Sequence, residues 1–300
     1  AAYDVSGQAM GGYMYMNGIN PTSGPLKVNP YLSDYVTAYN VCICAMAGHI
    51  HALKYGEGDS CDVAQYDNMF RLLDNYPAVW FNKGYPKQGE PISFRSGNKH
   101  DTSAGFSFYD TKDGNAIFVA ITGQGPVSRG FPIIGMPAPG SDEKVPGTDL
   151  TVDGRCTGYP IFDPRGQVEE RLIEEFCAAR TADELEKIFT EANIPCQRAY
   201  TPADIEKDPQ YEARENIVEW DDQVFGPMKG IGITNRFKKN PSDIVASAPL
   251  FGEHNREVLK LWGVSDEEID DMYAKGELET WTAADTARNK MLKEWGFFWD

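Results

Sequence analysis

Three observations predict a mixed chain, α/β or α+β, with one domain inserted within another. A long, nearly uncharged helical run follows "NPYLSDY" and extends to residue 53. A hairpin pattern, "FSFYDTKDGNAIFVAI", stands in the middle third between Gly- and Pro-rich connectors. Helical spacing then returns and continues into the tail. The middle third differs from both flanks, which places boundaries at 1–82, 83–200 and 201–300.

The elements follow in order. One helix is expected within 6–16, and another from Tyr35 to about Leu53. "KYGEGD" makes a turn, and "CDVAQYD" alternates like the start of a strand. A second apolar helix is expected over 67–81, then a long polar loop, "KGYPKQGEPISFRSGNKHDTSAG". After the hairpin, "PIIGMPAPGSDEKVPGTDLTVDG" is a connector. "QVEERLIEEFCAARTADELEKIFTEANI" holds two helices, the second with a Thr181–Glu184 capping box. "IPCQRAY" is strand-like, and "TPADIEKDPQYEARENI" opens with a Thr cap and Pro at the first helical position. "GPMKGIGITNRF" is β-like. Two helices follow, broken at Gly263, the second capped by Ser265. The tail offers a short amphipathic helix and an aromatic end, "WGFFWD".

Of the 300 residues, 41% are hydrophobic and 24% charged, which are globular values. The net charge of −17 repels nucleic acid and anionic membranes, so neither is expected as a partner. No apolar run is expected to reach the length of a membrane span. The opening "AAYDVSGQAMGGYM" lacks a signal-peptide pattern and reads as the inside of a folded unit, which suggests processing, proteolysis or a trimmed chain. Cys42, Cys44, Cys61, Cys156, Cys177 and Cys196 form no CxxC pair. They are expected as free, mostly buried thiols of a cytoplasmic protein, with no zinc site.

Among chemical candidates Asp34 stands first. In the first turn of a helix a carboxylate meets the positive end of the dipole and unpaired N–H groups, which favour its charged form. A charged carboxylate can attack an activated acyl group; Asp is equally a favoured cap, and the two readings are compatible. His49 and His51 point to different faces of one helix, and His254 opens another. His100 lies in the polar loop. Arg95, Lys99 and Arg129 give scattered positive charge, with solvated surface residues as the default reading. "ITGQGP" reads as an ordinary turn, and no dinucleotide or phosphate-loop motif is present.

Taken together, "YDVSGQAMGGYM", "NPYLSDY", "GEGDSCDVAQYD", "RSGNK", "IPCQRAY", "DPQYEAR", "WDD" and "APLFGEHNREVLKLWG" resemble the family III CoA-transferases, the CaiB/BaiF family. The resemblance runs through 3–276, and it is strongest to the bile-acid and carnitine enzymes of anaerobic gut bacteria. It implies an α/β fold: part of a Rossmann-like large domain carrying a smaller inserted α+β domain, in an interlocked homodimer. Residues 1–82 would then be the nucleophile-bearing part of the large domain, 83–200 the inserted domain, and 201–300 the return plus tail.

By the same resemblance Asp34 is the catalytic nucleophile. Gly97, Asn98 and Lys99 belong to a loop over 96–105 that covers the site and touches the cofactor, although the family's run of glycines is reduced here to Gly97 and Gly105. Coenzyme A is the co-substrate, acyl-CoA and carboxylic acids are the substrates, and neither metal nor nicotinamide is needed. The family's N-terminal Rossmann half is not in this sequence, so a companion fragment or an inactive truncated chain is expected. A related racemase is the second reading, and a non-catalytic subunit the third. For the acceptor, Tyr13, Tyr15 and Tyr35 suit an ammonium cage, and Met14, Met16 and Phe106 a wide apolar pocket.

Overall fold

The computed structural model describes residues 3–84, 87, 94–244 and 246–294. The chain forms two compact units, Ala1–Ala199 and Tyr200–Asp300. Helices and strands are mixed in both, and every strand pairing among the described residues is antiparallel.

The first unit opens with α1 (Asp4–Met10), α2 (Tyr13–Met16), α3 (Leu32–Tyr55), α4 (Gln65–Arg71) and α5 (Tyr76–Lys83). The sequence led us to expect one helix within 6–16, but Gly11 and Gly12 divide it, with Gly12 at φ 80°. "CDVAQYD" is not a strand: its last three residues begin α4. The expected helix over 67–81 is two helices, parted near Asp74, which sits at φ 55°. Close approach explains the glycines of α1. A Cβ on Gly7 would run into Ser33 Oγ of α3, and one on Gly11 would stand 2.6 Å from the Tyr66 carbonyl of α4. Small residues at this four-residue spacing let α1 lie directly on both helices.

Helix α3 corrects a further expectation. It has 24 residues, and its most apolar window has a mean hydropathy of 1.3, enough by length and composition to cross a membrane. Its polar residues Thr37, Asn40, His49 and His51 carry no formal charge, and the apolar residues around them keep the mean high. The core helix of a soluble protein passes the same test, yet only 6% of that window is buried in this chain. Tyr39, Ile43, Met46, Ile50 and Leu53 are all exposed.

The rest of the first unit is a sheet backed by helices. Strands β1 (Phe106–Asp110), β2 (Ala116–Ala120) and β3 (Cys196–Arg198) lie in the order β1-β2-β3, with Phe108 opposite Phe118. Alternation decides the faces. Tyr109, Ile117 and Val119 enter the core with Val127, Phe131, Ile173, Leu185 and Phe189. On the other face Phe118 meets Phe106 edge-on at 5.0 Å and Phe108 at a tilt at 5.6 Å. The backing helices are α6 (Gln124–Ile134), α7 (Pro164–Ala178) and α8 (Ala182–Glu191). Helix α6 replaces the turn expected at "ITGQGP" and takes in the start of the expected connector. Its amphipathic spacing overrides Pro126 and Pro132, and Val127, Gly130, Phe131 and Ile134 are buried. The Thr181–Glu184 capping box is present.

The second unit contains α9 (Pro202–Lys207), α10 (Pro209–Ala213), a hairpin of β4 (Ile217–Asp222) and β5 (Gly226–Ile231), then α11 (Asn255–Leu261), α12 (Asp266–Ala274) and α13 (Ala283–Glu294). Thr201, Asp208 and Ser265 each cap a helix with their side chains. The end "WGFFWD" lies outside the described residues. All six cysteines are free, but only Cys156 and Cys177 are buried, because Cys42 and Cys44 lie on the uncovered α3 and Cys61 is exposed beyond it.

Gly11→Ala tests the α1 contact. A methyl group there meets a backbone carbonyl, which cannot rotate away, so a loss of about 1–3 kcal/mol is expected from overpacking. It should appear as a lower denaturant midpoint at constant slope; an unchanged midpoint would mean that α1 shifts freely on α4.

Candidate active site

The N-terminal end of α3 needs partners for its first N–H groups. The helix begins one turn earlier than the sequence suggests, with Tyr31 at the cap position, and no side chain of that turn caps it. The partner comes from α1. Buried Asp4 accepts from the backbone N–H of Ser33 at 2.7 Å and of Asp34 at 3.4 Å. Its other oxygen accepts from Gln8 Nε2 at 2.8 Å. Gln8, fully buried, also exchanges two hydrogen bonds of 2.9 Å with the backbone of Val28.

Asp34 is therefore not the cap. With that role taken by Asp4, its own carboxylate is exposed and accepts from Gln65 Nε2 at 2.5 Å. One turn further along both helices, Asn68 donates to Thr37 Oγ1 at 3.3 Å and accepts from Asn40. These side chains fix α4 against α3 so that Gln65 stands opposite Asp34.

A second grouping surrounds the loop before β1. Arg95 is buried rather than solvated: it donates to the carbonyls of Tyr15 and Ser23 and stacks on the Tyr15 ring at 4.6 Å. Gly97, at φ 63°, donates its N–H to the Gly18 carbonyl at 3.0 Å. The Asn98 carbonyl accepts from Phe108 N at 2.9 Å. Asn98, Lys99 and His100 line a cleft of about 710 Å³, together with Ile19, Phe108 and Glu174. Lys99 pairs with Glu174 and, at 3.6 Å, with Glu170. Burial opposes its charge, but the two glutamates outweigh that and hold its pKa above the usual value. No hydrogen bond or ion pair among the described residues links Asp34 to Gly97, Asn98 or Lys99.

The other candidates take separate partners. Tyr35 packs edge-on to Tyr31, and Tyr15 is held by Arg95. Tyr13 and Met16 line a smaller pocket of about 260 Å³, whereas Phe106 packs against Phe118 and His100. Arg129 donates to the carbonyls of Ala192 and Asn193 at the end of α8. His51 contacts the Glu57 carbonyl, and His254 makes no side-chain cap bond.

Sequence reasoning missed Asp4, Gln8, Gln65 and an acid pair on α7. Glu169 is fully buried, and neither of its carboxylate oxygens has a hydrogen-bond partner. It lies against Gly105, where a Cβ would meet it. Glu170 accepts from Gly105 N at 2.7 Å and from Tyr109 OH at 2.9 Å. Burial, then the charge of Glu170, pushes Glu169 up to about 8. Burial and Glu170 also raise the Tyr109 hydroxyl. A signal for the pair was present: Gly166, Glu169, Glu170, Ile173 and Cys177 have the spacing of one buried helix face.

With this geometry established, comparison with known proteins identifies the class. The sequence model of CoA-transferase family III matches residues 1–255, and the chain belongs to that family. It is 45% identical over 278 residues to the bile acid CoA-transferase BaiK of Clostridium scindens, an alignment covering 92% of this chain and 60% of that protein. In fold it matches a CaiB/BaiF family protein from Brucella suis, with TM-score 0.65 and 24% identity over 87% of this chain and 63% of that one. Rv3272 from M. tuberculosis matches with TM-score 0.63 and 16% identity, over 85% and 62% respectively. The chain thus spans less than two thirds of the length of these relatives.

Glu169 makes stability depend on pH. Its folded value of about 8 lies above the ordinary 4.5, so the folded protein binds this proton more tightly than the unfolded chain. The contribution is complete below pH 4.5 and falls as pH rises toward about 8, by about 1.4 kcal/mol per unit. Glu169→Gln should flatten the profile of melting temperature against pH over that window and raise the melting point most at its alkaline end. An unaltered profile would show that Glu169 does not hold the proton.

Proposed function

We propose that this chain carries the nucleophile of an enzyme that moves CoA from an acyl-CoA thioester to a free carboxylic acid. The observation that carries this reading is the state of Asp34. It sits in the first turn of α3 with its carboxylate exposed, fixed by Gln65 and relieved of capping by Asp4. An anion so held has one oxygen available to attack a thioester carbonyl.

The attack forms a mixed anhydride and releases CoA thiolate. The thiolate returns to the aspartyl carbon, expels the donor acid and leaves an aspartyl-CoA thioester. The acceptor carboxylate attacks that thioester, and the thiolate then takes the acceptor's acyl group, which frees Asp34. No step needs a proton donor, a metal or a redox cofactor. Identity to a bile acid CoA-transferase supports a bile acid as the acid exchanged. Asn98 and Lys99, which line the larger cleft, and Gly97, next to them in sequence and lining the smaller pocket, are proposed to meet CoA.

The remaining architecture is part of the same proposal. Much of the relatives' length lies outside this chain, and the long apolar face of α3 is uncovered. Both support a larger Rossmann-like domain, in an interlocked homodimer, that covers α3 and holds most of the CoA; a separate fragment carrying that part would serve equally.

Asp34→Asn in the complete protein should lower transfer between a bile acyl-CoA donor and a free bile acid by at least about 10³-fold. Hydroxylamine should convert the wild-type Asp34 to a hydroxamate during turnover, and mass spectrometry of the Asp34 peptide reads this directly. Transfer that survives the substitution would refute the covalent role.

A further inference from the structure

We propose that Gln65 is the oxyanion donor of the transfer reaction, its side-chain amide holding Asp34 Oδ1 whenever the aspartyl carbon is attacked. This rests on the reading of Asp34 as the nucleophile. Gln65 Nε2 reaches Oδ1 at 2.5 Å, and no hydrogen bond engages Oδ2 among the described residues. The amide therefore distinguishes the two oxygens: Oδ2 attacks, and Oδ1 stays with the protein.

The position is built rather than incidental. Gln65 is the first residue of α4, and its Cβ lies close under α1, only 3.1 Å from where a Cβ on Gly7 would stand. Asn68, bonded to Thr37 and Asn40, prevents α4 from sliding along α3. The donor is thus in place before charge develops, which is the condition for electrostatic stabilisation without reorganisation.

Gln65 serves some steps and not others. When Oδ2 attacks the donor thioester, negative charge builds on the substrate's oxygen, the C–S bond breaks and CoA leaves as thiolate. When the thiolate attacks Asp34 Cγ, the carbonyl pair moves onto Oδ1, which Gln65 Nε2 stabilises. Collapse re-forms that carbonyl, breaks the Cγ–Oδ2 bond and releases the donor acid with Oδ2. The acceptor carboxylate then attacks Cγ, again placing the charge on Oδ1, and expels thiolate. Gln65 therefore acts on breakdown of the anhydride and of the aspartyl thioester, and not on formation of the first anhydride.

The test is Gln65→Leu in the complete protein. Loss of one such donor should lower kcat by about 10²–10³ and, as the anhydride builds up, lower the donor's KM with it. In acid-quenched samples read by intact-protein mass spectrometry, the Asp34 anhydride should accumulate above the wild-type level, because its formation is spared and its breakdown is not. A wild-type kcat overturns the assignment; so does a slower protein without accumulation, which would mark a purely structural role. If the wild type itself gives no hydroxylamine adduct, the nucleophile reading fails first and this one with it. Gln65→Glu keeps the shape and regains a donor only when protonated. Its rate relative to wild type should rise as pH falls, and a flat ratio counts against the proposal whether or not the leucine variant folds.

Discussion

The carboxylate of Asp4 in the first N–H groups of α3 is the contact on which the candidate site depends. A helix start buried without a partner is unfavourable, and a cap is typically worth about 1 kcal/mol. The partner here is supplied by a different helix, so the contact fixes tertiary placement as well as local structure. Gln8 holds Asp4 from behind, and Gly7 and Gly11 let α1 approach closely enough for the bond to form. Asp34 can then face outward toward Gln65.

The second grouping rests on a different balance. Glu169 and Glu170 are neighbours on α7, and both are buried. Glu170 accepts from Gly105 and Tyr109 through one oxygen and faces Lys99 at 3.6 Å with the other, and Glu169 has no hydrogen-bond partner for either oxygen. Two adjacent buried carboxylates avoid mutual repulsion when one keeps its proton. The loop that ends at Gly105 is fastened to α7 through Glu170, and Glu169 lies against the same glycine without a bond to it.

Much of the fold was legible where its causes are local. The hairpin about "KDG", the cap boxes at Thr181 and Ser265, the Thr201 cap and the break at Gly263 each follow from a few neighbouring residues. The turn expected at "ITGQGP" gives way to α6 because burial of Val127, Phe131 and Ile134 outweighs the Gly/Pro signals, and the strand expected at "CDVAQYD" is absent because its last three residues open α4, which packs on α3 through Asn68. Asp34 was recognisable as a carboxylate at a helix start. Its real circumstances were not, because Asp4 and Gln65 reach it from other helices and nothing in their local sequence announces that. Glu169 was hidden differently: its helix reads as a charged surface helix unless the two glutamates are placed on the same stripe as Ile173 and Cys177.

The span of these contacts bears on how the site assembles. Asp4 meets Ser33 across 29 residues, and Asp34 meets Gln65 across 31. Each contact closes a chain loop, and closure entropy must be offset by contacts that exist only once the loop is shut. The glycine-spaced surface of α1 touches the partners of both closures: it closes the first through Asp4 and braces the second, which Asn68 also holds through Thr37 and Asn40. The nucleophile and its amide partner thus stand on helices that a third helix ties together, and loosening α1 weakens the setting of both residues at once.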